Sequence, residues 1–162
     1  MTRKVLNGRV VVWTIILVGI VVSGVLFYKG TQKKLDASSQ DHPIDYKIIS
    51  MTLPNRETMG NLVIRNEKEW KDTVGVSSSV DFSENTVLLI SMGQRMTGGY
   101  TIQVKTIIEK ANKIIAMVEF ISPGKNCINF QAITYPQELV MIPQTNKEVE
   151  WVITNTVQDC PQ

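Results

Sequence analysis

A mainly β domain, an antiparallel β-sandwich or open barrel with one short helix, preceded by a single N-terminal transmembrane helix, is the architecture that this sequence predicts. Three observations carry it. From Asp45 onward, β-branched and aromatic residues alternate with polar ones in runs about ten residues apart, separated by Gly, Pro, Asn and Ser. Only Asn66 to Gly75 combines a helical apolar spacing with a capping residue at its start. Ahead of both lies Val10 to Tyr28, nineteen residues without a charge.

At about 1.5 Å per residue that apolar run spans roughly 28 Å, close to the thickness of a hydrocarbon core. Trp13 and Tyr28 stand near its ends, where aromatic rings favour the membrane interface. A cleaved signal peptide is the rival reading: Ser23-Gly24 and Ala37-Ser38 supply small residues, although a signal core would normally be shorter. Arg3, Lys4 and Arg9 precede the run and Lys29, Lys33 and Lys34 follow it, so the flanking positive charges tie at three each. The short stub of residues 1–9 leans toward a signal-anchor with the N-terminus inside and the domain outside. Residues 29–43 are polar without apolar period and read as a linker, which makes 44–162 the folded domain. Residues 1–42 hold six of the 17 basic residues and two of the 15 acidic ones. The net charge of +2 therefore belongs to the membrane flank. With no basic stripe interleaved with aromatics in the domain, nucleic acid is not an expected partner.

Within the domain, Asp45 to Ser50 and Asn61 to Arg65 carry short strand patterns on either side of a Pro54-Asn55 turn. Asn66, with Glu67 and Glu69 behind it, forms a helix start related to the capping box. Trp70 and Val74 give that helix an apolar face directed at a sheet, and Phe82 is expected to plug the core from the following serine-rich loop. Val87 to Ile90 reads as a strand. Tyr100 to Glu109 and Lys113 to Ile121 form a hairpin across Lys110-Ala111-Asn112. Apolar residues on both faces of the second arm place it near the middle of a packed sheet. After the loop Ser122 to Asn126, Ile128 to Ile133 alternates as a strand and Tyr135-Pro136 interrupts it. Leu139 to Ile142 resumes, and Val149 to Thr156 closes with Trp151 and Ile153 on one face.

The loop between the first two central strands is the candidate site. Gly98 and Gly99 let the backbone approach a partner closely, and Arg95 and Met96 offer one charge and one adaptable apolar side chain. Gly93 and Gly98 have the spacing of a phosphate loop, but Gly99 stands where its lysine belongs and Tyr100 where its hydroxyl residue belongs. A strand follows instead of a helix, so neither nucleotide nor another small-molecule substrate is expected. Cys127 and Cys160 are too far apart for a CxxC motif. They are either two free thiols or, outside the cytoplasm, a disulfide tying the tail to the loop after Pro123-Gly124. His42 falls in the linker and no nucleophile stands in a recognisable motif. No metal, cofactor or catalytic role is expected, and the domain is not expected to be an enzyme.

The run VLLISMGQRMTGGYTIQV, with Glu69-Trp70 and Val80-Asp81-Phe82-Ser83 before it and ITYPQELVMIP after it, resembles the PrcB C-terminal domain family. That family is named for an accessory subunit of a bacterial surface protease complex, and the resemblance covers about residues 45–155. A weaker likeness is to chagasin-type inhibitors of cysteine peptidases. Their loop has the form NPTTGY; here the proline is absent and Gly98 is inserted between Thr97 and Gly99. The first resemblance implies a membrane-anchored extracytoplasmic module that binds or stabilises an exported protease. Its contact residues would be Gln94, Arg95, Met96, Thr97, Gly98 and Gly99, with Tyr100 anchoring the loop base. The alternatives are an inhibitor that places the same loop in a protease cleft, and a structural envelope protein without a protease partner.

Overall fold

The computed structural model describes residues 41–160. The apolar run 10–28, the stub before it and most of the linker lie outside the described residues; among those described, no helix is long and apolar enough to cross a membrane.

Strand β4 (Asn85–Ser91) sits at the centre because its residues leave no polar face. Every position from Thr86 to Ser91 is buried, and a strand buried on both sides needs cover on both. It lies between β3 (Gly60–Ile64) and β7 (Gln137–Pro143), both antiparallel to it, with β2 (Lys47–Ile48) beyond β7. On one side Leu88 and Ile90, with Val140 and Ile142 of β7, pack into a core shared with a second sheet. On the other side Val87, Leu89 and Leu139 receive Trp70 and Val74 of helix α1 (Glu67–Val74). The helix forms where the capping pattern places it. The Asn66 side chain accepts from the Glu69 N–H at 2.9 Å, Asn66 Nδ2 donates to Glu69 Oε1 at 2.7 Å, and Gly75 ends the helix in the left-handed conformation. Phe82 tilts against Trp70 with ring centroids 6.2 Å apart, sealing this smaller core.

The second sheet has the order β1 (His42–Pro43), β5 (Thr101–Glu109), β6 (Lys113–Pro123), β8 (Glu148–Gln158). β5 and β6 form the expected hairpin, closed by the Lys110 N–H donating to the Lys113 carbonyl at 2.8 Å. A bulge between Val104 and Thr106 inserts one residue and rephases the strand, so that Ile102, Val104 and Ile107 all face inward. Ile114, Ala116, Val118 and Phe120 of β6 meet them there.

Several expectations are corrected. β8 pairs with β6 in parallel, so this sheet is mixed, and among the described residues neither sheet closes into a barrel. The four-residue turn from β7 crosses from one sheet to the other, and the direction of β8 follows from that crossing. The turn is held from outside: Arg65 Nε and Nη2 donate to the carbonyls of Thr145 and Lys147 at 3.0 and 2.8 Å, and the Thr145 N–H donates to Thr86 Oγ1 at 3.1 Å. β6 is interior to its sheet but covered on one face only; Met117 on the other is exposed. On β8, Trp151 and Ile153 share a face, Trp151 packing against the core while Ile153 stays partly exposed. His42–Pro43, expected in the linker, pair with Ile108–Glu109. The strand expected at Ile128 to Ile133 is absent, and only Thr134 forms an isolated bridge, with Arg95.

Phe120→Ala is expected to cost about 3–5 kcal/mol in denaturant unfolding, because the cavity opens where both sheets meet. Glu138 lies on the same strand face as Val140 and Ile142, and burial pushes its carboxyl above the ordinary range. Ionising it is therefore harder in the folded chain, so stability falls as pH rises through the unfolded carboxylate range and stays lower above it. Glu138→Gln is expected to raise the thermal midpoint at pH 7 and to leave it unchanged where the carboxyl is protonated in both states, as calorimetry would read.

Candidate functional site

Where β4 ends, the chain enters a loop that is tied down on both sides. The Met92 N–H donates to the Pro136 carbonyl at 3.0 Å and the Gln94 N–H to the Glu57 carbonyl at 2.9 Å. Gly93 adopts φ +71°, and a Cβ there would lie 2.6 Å from the Met59 nitrogen, so only glycine lets the two backbones pass. Arg95 and Thr134 exchange both backbone hydrogen bonds, at 2.8 and 2.9 Å. The Gly98 N–H donates to the Phe130 carbonyl at 2.9 Å, and the Thr134 hydroxyl donates to the Thr97 carbonyl at 2.8 Å. Gly99, at φ +86°, leaves room for the Asn129 side chain, whose Oδ1 would clash with an added Cβ. The loop 94–100 is thus stitched to the segment 128–134.

That second segment is itself fastened. Cys127 and Cys160 form a disulfide with Cα atoms 5.1 Å apart, and the Gly124 N–H donates to the Gln158 carbonyl at 2.8 Å. A connection that would otherwise be loose is held at the end of β8. It presents apolar side chains outward: Ile128 is fully exposed, Phe130 87% and Ile133 52%, while Met96 across the stitch is 71% exposed. Burying such groups in the sandwich would have cost nothing in polarity, so their exposure marks a surface suited to contact with another macromolecule.

The expected contact residues divide. Met96 projects as expected. Arg95 does not: its guanidinium carbon lies 5.3 Å from the centroid of the Tyr100 ring and its buried Nε finds no hydrogen-bond partner among the described residues, so its charge is folded onto the loop base. Gln94, Thr97 and Gly98 are half-buried, the first with its N–H on the Glu57 carbonyl and the other two with backbone groups engaged in the stitch, and Gly99 is exposed. Tyr100, half-buried against the main core, anchors the base. Ile128, Phe130 and Ile133 escaped the sequence reading because their alternation matches a strand. Their bracketing by Pro123-Gly124 and Tyr135-Pro136, with Asn126, Asn129 and Gln131 between, was the available signal for a loop.

Among the described residues no group of three or more His, Cys, Asp or Glu side chains could hold a metal ion. A cavity of about 260 Å3 beside the disulfide is lined by Ile121, Pro123, Asn129 and Asp159, and another of about 370 Å3 lies between Leu53 and Asn55 on one side and Ile133 and Thr134 on the other. Replacing both Cys127 and Cys160 with Ser is expected to lower stability by about 3–4 kcal/mol by the loop-entropy relation. It is also expected to speed hydrogen exchange at the Gly98 amide, since the segment that accepts its bond is released.

Residues 86–143, which run from β4 through both halves of the tip to the end of β7, match the family model described as PrcB C-terminal. No curated protein and no solved structure matches the chain. The matched segment contains the whole stitched tip and the strands that carry it, and over those residues the chain is similar to the PrcB C-terminal family.

Proposed function

We propose that this chain is a membrane-anchored, extracytoplasmic interaction module that binds an exported protease, or a complex built around one, through the tip formed by residues 94–100 and 128–134. The observation that carries this reading is the rigid display of Met96, Ile128, Phe130 and Ile133. A contact surface that is already ordered loses little entropy on binding, and apolar and aromatic anchors supply most of the energy of protein interfaces. The family match supports an accessory role beside a protease. The disulfide favours an oxidising compartment and so supports placing the domain outside the cytoplasm. Anchoring rests on the uncharged run Val10 to Tyr28.

The reading is tested with a photoreactive phenylalanine analogue at position 130 of the full chain in living cells, with position 68 on the exposed face of α1 as control. A crosslinked product specific to position 130, identified by mass spectrometry as an exported protease or its subunit, is the expected result. Phe130→Asp with Met96→Asp is expected to weaken co-purification of that product about tenfold or more, the loss typical of removed interface anchors. Equal labelling at both positions, or capture unchanged by the double variant, removes the tip from the interface.

A further inference from the structure

Unpaired sheet edges invite strand addition, and native chains blunt them with short strands, proline, lysine or bulges. Three of the four edges here follow that rule. β1 has two residues and ends in Pro43, β2 has two, and β3 has five. β8 does not. Its eleven residues, EVEWVITNTVQ, include no Pro, Gly, Lys or Arg. They pair with β6 in unbroken register, and no described strand lies against their other side. The strand is rich in β-branched residues, which favour pairing. Val152, Ile153 and Val157 on it are exposed, Val157 to 72%.

We propose that this edge is a homodimer interface, in which β8 pairs antiparallel with β8 of a second copy about a two-fold axis at Ile153, joining two four-stranded sheets into one of eight. The side-chain pattern of the strand selects a copy of itself and this register. With Ile153 opposite Ile153, all eleven residues find a partner. Glu148 then faces Gln158, Val149 faces Val157, Glu150 faces Thr156, Trp151 faces Asn155 and Val152 faces Thr154. No carboxylate opposes a carboxylate, the arrangement that would destabilise the pair. The two Glu150 side chains stand six residues apart along the strand, roughly 20 Å, beyond the screening length at physiological salt. Each is already engaged by Lys113 of its own β6 at 2.5 Å. Moving the axis to Trp151 would leave the Val157 end unpaired and bring the acidic ends together. An isologous pairing of this kind closes on itself, so the edge is consumed without forming a fibre.

The inference is independent of the tip, which lies in loops outside the strand. Its test uses the full chain in detergent micelles with the native disulfide intact. Under mild oxidation Ile153→Cys is expected to form a disulfide-linked dimer on non-reducing gels. Glu148→Cys is expected to stay unlinked, because its equivalent in the second copy lies roughly 30 Å away along the strand. In sedimentation equilibrium Ile153→Glu is expected to lose the dimer, and an equal mixture of Ile153→Glu and Ile153→Lys to regain it, a recovery that misfolded chains could not give. A wild-type chain that is monomeric, including one whose edge takes up a strand of another protein, overturns the proposal. So does equal linkage at both positions, or a dimer that survives Ile153→Glu.

Discussion

The double burial of β4 is the constraint on which the rest of this molecule depends. A strand with Val87, Leu88, Leu89 and Ile90 in succession cannot lie on a surface, and it is satisfied only when a helix closes one side and a second sheet closes the other. The three layers follow from that requirement. So does the placement of the loop that leaves β4 at Met92, since the strand cannot shift along its neighbours without exposing one apolar set or the other.

From this fixed exit the tip gains its order. Its hydrogen bonds connect 95–98 with 130–134, segments more than thirty residues apart, and the disulfide joins the same region to the end of β8. Exposed apolar groups on a mobile loop would collapse onto the nearest core. Here the backbone is held by groups other than those side chains, which leaves them available. The glycines at 93 and 99 are the local means, one letting the loop pass against the 57–59 backbone and the other admitting Asn129.

The same disulfide and the Gly124–Gln158 hydrogen bond make the tip continuous with the last strand of the mixed sheet. The matched family segment ends at residue 143, so β8, its partner cysteine and the Arg65 anchor of the crossover turn lie outside it. The stitched tip is thus carried by the matched segment, while the strand that ends beneath it and the bond that ties it down are contributed from beyond.

Much of the fold could be read from local pattern. The Asn66 cap, the Trp70 and Val74 face, the 101–121 hairpin and the uniformly apolar β4 each follow from spacing within a dozen residues, because caps, turns and amphipathic faces are local physics. The candidate site was legible in part: the glycine-bearing loop and Met96 stood out, whereas the retraction of Arg95 onto Tyr100 and the outward display of Phe130 did not. By itself the sequence determined the helix with its caps, the central hairpin and most of the strands, and which face of most strands would be apolar. Only the tertiary structure decided that β8 runs parallel to β6, that 128–133 remains outside the sheets and that two distant loops form one surface. Those outcomes depend on which segments meet across long chain separations, and no local period records the meeting.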